Sequence, residues 1–151
     1  MLRRRFLAGL ASASAALGWR RVGADDPWQP RTPGDAAFLA RAIDLARTGS
    51  ERGDGTPYGA VVVRRGRIVG EGWNRAHAKN DPTAHAEIEA IQDAARRLGR
   101  RDLSDCVLYA SGGRPCPMCE GGAYFANIGR VVHGHSADAF IDAGPPRLGR
   151  C

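Results

Sequence analysis

The sequence predicts an α/β layered fold with a partly parallel sheet, and three observations carry that reading. Strand-like and helix-like segments alternate along most of the chain. Two β-rich runs stand back to back across a two-residue turn. One helical stretch carries an apolar stripe at steps of four and three residues. The 151 residues give room for one domain with a real core, the 43% apolar content is ordinary, and no internal repeat occurs.

The first segment, MLRRRFLAGLASASAALGWRRVGA, combines a basic start, an apolar stretch from Phe6 to Gly18, and Val22-Gly23-Ala24 as a small-residue cleavage site before Asp25. Arg3-Arg4-Arg5-Phe6-Leu7 resembles the twin-arginine export motif. Residues 1–24 are therefore expected to be an export signal, which implies a periplasmic or otherwise exported protein. If this segment is instead a short amphipathic helix, the protein is cytoplasmic. Residues 25–34 read as a linker and 35–151 as the folded domain. No apolar run approaches the roughly 20 residues of a membrane-spanning helix.

Thr32-Pro33-Gly34-Asp35 reads as a helix start, with a helix over about 33–49 ended by Gly49. Tyr58–Arg64 and Arg67–Trp73 form a hairpin across Arg65-Gly66. Asn80-Asp81-Pro82-Thr83 breaks the chain and starts a second helix. Its stripe is Ala84, Ile88, Ile91, Ala95 and Leu98, and Gly99 ends it. Cys106–Ser111 is a third strand, 116–127 a third helix opened by Pro117, and Arg130–Gly134 a fourth strand. The tail Ala143-Gly144-Pro145-Pro146 is a poor helix former.

The net charge of +6 suggests a polyanion partner until its distribution is considered. Five of the 22 basic residues fall in 1–24, where there is no acid. That leaves 17 basic residues against 16 acidic ones. The remainder carries no electrostatic footprint for nucleic acid.

Cys116 and Cys119 stand three apart in Arg-Pro-Cys-Pro-Met-Cys. Taken alone, they fit a zinc site, a disulfide or a redox pair. Both lie at a helix start, where the helix dipole favours thiolate. Of the four histidines, His85 is flanked by an acid, in Thr-Ala-His-Ala-Glu. Residues two apart lie about 200° apart around a helix, so His85 and Glu87 can share a site only at a helix end. Two thiolates offset a Zn²⁺ charge, which eases the placing of two helix N-termini around one cation. His133 and His135 read as packing or surface residues, Cys106 as a buried strand residue, and Cys151 as free or paired with Cys106. Trp73 is expected to pack in the core.

His-Ala-Glu, then 27 residues, then Pro-Cys-Pro-Met-Cys resembles the signature of the cytidine/deoxycytidylate deaminase superfamily. Within it, GEGWNRAHAKNDPTAHAEI over Gly70–Ile88 is most similar to the guanine deaminase and tRNA-specific adenosine deaminase branch. The resemblance spans roughly 35–135. It implies a three-layer fold, with a mixed sheet of four to five strands between helices and a shortened C-terminal part.

The resemblance also implies one zinc per chain on His85, Cys116 and Cys119, with a zinc-bound hydroxide as nucleophile and Glu87 as proton shuttle. Asn74 matches a position that hydrogen-bonds the substrate ring, and the Ala86 N–H is a further contact. The implied substrate is a free nucleobase, nucleoside or related amino-heterocycle, with a purine such as guanine leading. The implied partners are that small molecule and a second copy of the chain, not nucleic acid. Two other readings stand beside it: tRNA adenosine deamination if the protein is cytoplasmic, and a non-catalytic zinc-stabilised binding module. The chain departs from the family at Arg114, where the family usually has Glu before Pro-Cys, and in its short C-terminal region, which leaves the fifth strand open.

Overall fold

The computed structural model describes residues 34–136 and 139–146. The expected export signal over 1–24, most of the expected linker, including Thr32 and Pro33, and Cys151 lie outside the described residues. The elements run α1 (Asp35–Glu51), β1 (Gly59–Arg64), β2 (Arg67–Trp73), α2 (Ala76–Lys79), α3 (Ala86–Leu98), β3 (Cys106–Ser111), α4 (Pro117–Phe125), β4 (Arg130–Ser136) and β5 (Ala139–Gly144).

The strand order is β2-β1-β3-β4-β5. β1 is antiparallel to both β2 and β3, β3 and β4 are parallel, and β5 is antiparallel to β4. Alternation along the strands sorts the core onto two faces. Ala60, Val62, Cys106 and Leu108 meet Ala86, Ala90, Ile91 and Ala123 of α3 and α4. Val61, Val63, Ile68 and Tyr109 meet Phe38 and Leu45 of α1. The result is the expected three-layer architecture, a mixed sheet between helices.

Four local expectations need correction, one short helix was not anticipated, and the open question of a fifth strand is settled. The first helix begins at Asp35, with Gly34 as its cap, and ends at Glu51. Gly49 does not stop it. This residue is buried inside the helix and is a glycine because a Cβ there would fall 2.4 Å from the Trp73 ring. The one-turn helix α2 was not anticipated; it closes on Asn80, which adopts a left-handed conformation at φ 49°. His85 lies outside the first turn of α3, as its extended N-cap. The third helix is shorter than 116–127, and the fourth strand continues to Ser136. A fifth strand is present, paired with β4.

Candidate metal centre and pocket

Two helix starts converge at the end of β3. His85 is the N-cap of α3 (φ −74°, ψ 155°) and Cys116 the N-cap of α4 (φ −66°, ψ 164°). N-cap side chains ordinarily accept the helix's free N–H groups. Neither of these makes such a bond, so both are available to a ligand. Gly122 on α4 lets the helices close in, since a Cβ there would meet Ile88 Cδ1 at 2.5 Å. On the sheet side, Gly70 and Gly72 of β2 seat α3. Cβ atoms at these positions would lie 2.5 Å from Ala90 O and 2.4 Å from Ala86 O.

His85 Nδ1 lies 3.7 Å from Cys116 Sγ and 3.6 Å from Cys119 Sγ. These three are the residues whose donor atoms gather closely enough to hold a metal among the described residues. A tetrahedral zinc with Zn–S about 2.3 Å and Zn–N about 2.0 Å sets its N and S ligands about 3.5 Å apart. The donor set therefore fits zinc, and two of its members, His85 and Cys116, also line the pocket. Burial, followed by the charge on Glu87, pushes the Cys119 thiol far above its usual range. A thiolate so deeply placed requires a cation beside it.

The pocket above the three donors has a volume of about 310 Å³ and is lined by Asn74, His85, Glu87 and Cys116 together with Thr56, Tyr58, Ser111, Gly113 and Arg114. Glu87 reaches the donor cluster but stands at its side; its Oε2 accepts from Cys119 Sγ at 3.5 Å. Asn74 is buried and oriented. Its N–H donates to Tyr58 O at 2.9 Å, and its Oδ1 accepts from Ala76 N at 3.1 Å. The carboxamide therefore offers its Nδ2 as a donor. Ala86 is the first residue of α3, so its N–H has no acceptor within the helix.

The structure thus brings together Asn74, His85, Ala86, Glu87, Cys116 and Cys119, and leaves the other histidines outside. His133 is buried on β4, where burial, then Arg114 and His135, lower its pKa. His77 is exposed on α2. Trp73 packs against the α1 face of the core and donates to Asp54 Oδ2 at 2.7 Å. Arg114 forms a two-pronged bond with Glu120 on α4, at 3.2 and 2.7 Å.

The sequence reading missed Tyr58 and Ser111. Ser111 Oγ accepts from Gly59 N at 2.8 Å, which leaves its hydroxyl hydrogen to donate into the pocket. Its place at the end of β3 was the available signal, because α/β sheets set their sites at strand carboxyl ends. Gly112 makes room for Tyr58. It sits at φ +102°, and a Cβ there would meet the Tyr58 ring at 2.8 Å.

Comparison with known proteins agrees with this geometry. The profile of the cytidine and deoxycytidylate deaminase zinc-binding region matches residues 33–135. Guanine deaminase of Bacillus subtilis is 46% identical over 107 residues, covering 71% of this chain and 68% of the relative. The tRNA-specific adenosine deaminase of Haemophilus influenzae is 38% identical over 112 residues, covering 74% and 64%. The X-ray structure of the B. subtilis guanine deaminase superposes with a TM-score of 0.64 at 44% identity, covering 68% of this chain and 64% of that one. The match thus spans about two thirds of these relatives' length.

Proposed function

The chain belongs to the cytidine and deoxycytidylate deaminase family of zinc-dependent hydrolytic deaminases, and from that premise we propose that it releases ammonia from a free nucleobase, nucleoside or related amino-heterocycle, guanine first among them. The observation that carries this reading is the Glu87 carboxylate. It lies 3.5 Å from a buried donor of the metal cluster and lines the pocket without joining the ligand set. A purely structural zinc site needs its ligands and has no use for such a group.

His85 Nδ1 and the sulfurs of Cys116 and Cys119 would hold one zinc per chain. Bound there, zinc would lower the pKa of a water toward about 7. Glu87 would take one proton from the water and deliver it to a ring nitrogen of the substrate, then take the remaining proton from the added hydroxyl and pass it to the departing amine. The balance is one amino group and one water consumed, one carbonyl and one ammonia formed. Asn74 Nδ2, the Ala86 N–H and the Ser111 hydroxyl donate to acceptors on the ring, and Tyr58 forms the wall beside it. Likeness to the B. subtilis guanine deaminase favours guanine. Likeness to the H. influenzae enzyme supports a second reading, tRNA adenosine deamination.

The proposal extends to export by the twin-arginine route and to a homodimer. A reporter fused to residues 1–30 that stays in the cytoplasm would exclude export. The activity test is ammonia release from guanine, adenine, cytosine, their nucleosides and a tRNA, with zinc counted in the same sample. One zinc per chain and release from guanine is the expected result. Release from tRNA alone moves the assignment to the second reading. One zinc with no release from any of them would overturn the guanine assignment and move weight to a binding module or to an amino-heterocycle outside this panel.

A further inference from the structure

We propose that Glu89, which lies outside the pocket, is the positioning residue that holds Asn74 against His85. The inference rests on the deaminase reading for its kinetic consequence and on the structure alone for its geometry. Glu89 is two residues beyond Glu87 on α3, so the two carboxylates leave the helix in nearly opposite directions. Glu87 faces the pocket. Glu89 is 4% exposed and faces the segment that carries Asn74.

Two cations from that segment converge on the Glu89 carboxylate. Lys79 Nζ donates to Oε1 at 2.6 Å and to Oε2 at 2.9 Å. Arg75 donates through Nε to Oε2 at 2.9 Å and also through Nη2. Burial opposes ionisation of Glu89, but the hydrogen bonds from Lys79 and Arg75 outweigh it, and the carboxyl stays below its usual range.

Each cation is joined directly to the site. Arg75 follows Asn74 in the chain, and its own N–H donates to Ala84 O at 2.9 Å, one residue before His85. Lys79 closes α2, the helix whose first N–H is held by Asn74 Oδ1. One buried carboxylate thus fixes the substrate-contacting side chain, the helix it caps and the approach to the first metal ligand. Nothing in composition or spacing marks it. In the sequence Glu89 looks like any helix glutamate.

Hydrogen exchange on the zinc-loaded full chain tests the geometry, comparing wild type with Glu89→Gln. Exchange at the Arg75 and Ala76 amides is expected to quicken by about tenfold more than at the Cys106 and Gly129 amides at the far end of the sheet. With guanine as probe, KM should rise by about tenfold while kcat changes by less than about threefold, and the zinc count should stay at one. Glu89→Asp should recover part of the loss. Lys79→Met, which removes one cation and leaves the carboxylate with Arg75, should give a weaker form of the same pattern and serves if Glu89→Gln does not fold. A uniform rise in exchange, or a fall in kcat with KM unchanged, would overturn the proposal. If wild type loads zinc but leaves guanine untouched, the substrate assignment fails, and the exchange result still decides the role of Glu89.

Discussion

Glu87 and Cys119 meet across two helix starts, with the Cys119 sulfur 3.5 Å from the Glu87 carboxylate. The acid is close enough to serve any molecule bound beside the metal, yet it is not one of the three donors. Glu87→Ala should therefore lower turnover by about 10²–10⁴-fold, the range of general acid–base catalysis, while zinc remains at one per chain. Metal counting and ammonia release on the same preparation check this. Loss of zinc together with activity would make Glu87 part of the metal site.

Zinc affinity should rise with pH. Burial, and then the Glu87 charge, hold the Cys119 thiol far above its usual range, so the metal-free protein keeps that sulfur protonated at neutral pH. Binding displaces the proton, and the apparent affinity should gain about tenfold per pH unit for each proton released. Competition with a chelator at three pH values between 6 and 8 measures the slope. A flat profile would remove Cys119 from the ligand set.

The metal donors were legible through the resemblance of His-Ala-Glu and Pro-Cys-Pro-Met-Cys to the deaminase signature; local chemistry marked only the approach to the helix starts at which they sit. The hairpin and β3 were legible from β-branched runs at the right spacing. Gly49 misled because a glycine near a helix end signals a stop, whereas here it makes room for Trp73, 24 residues away. Strand β5 and the pocket roles of Tyr58 and Ser111 depend on β4, Gly112 and Gly59, which are neighbours only after folding. Such tertiary dependence leaves no local periodicity to read.

Stability should fall in two stages as pH is lowered. His133 has a folded pKa below its ordinary value of 6.5, first through burial and then through Arg114 and His135. The unfolded chain therefore takes up that proton first, and stability declines as pH drops below about 6.5. Glu89 is held below its ordinary value of 4.5, so its contribution is full above that pH and is lost on further acidification. Urea midpoints at intervals from pH 4 to 8 should show a shallow loss removed by His133→Gln and a steeper one reduced by Glu89→Gln. The difference between wild type and each variant isolates the group, since metal loss adds the same slope to both.

Gly72 and Gly59 make a matched pair. A Cβ at Gly72 would lie 2.4 Å from Ala86 O, where α3 begins, and one at Gly59 would lie 2.1 Å from Ala42 O of α1 on the other face. Alanine at either position should cost about 1–3 kcal/mol through overpacking. Gly72→Ala displaces the helix start that carries His85 and Glu87, so it should lose more turnover per folded molecule than Gly59→Ala, which reaches the pocket only through the Ser111 hydroxyl and Tyr58. Parallel urea melts and assays separate the two effects. Equal activity per folded molecule in both variants would mean that the seat of α3 on β2 does not set the site geometry.

Asn74 combines two tasks that substitution can divide. Its Oδ1 accepts the Ala76 N–H at 3.1 Å, which leaves Nδ2 as the donor to a substrate acceptor. Asn74→Ala removes both functions, and should lose about 1 kcal/mol of stability with a rise in KM of about tenfold. Asn74→Asp keeps the acceptor for Ala76, so its urea midpoint should stay near that of wild type. It also replaces a donor with an anion facing a substrate acceptor, which costs more than a missing bond. Its KM should therefore exceed that of the alanine variant, even though its fold is the better preserved. Should the aspartate variant bind guanine as well as wild type does, Nδ2 would not be the donor, and recognition of the ring would pass to the Ala86 N–H and the Ser111 hydroxyl.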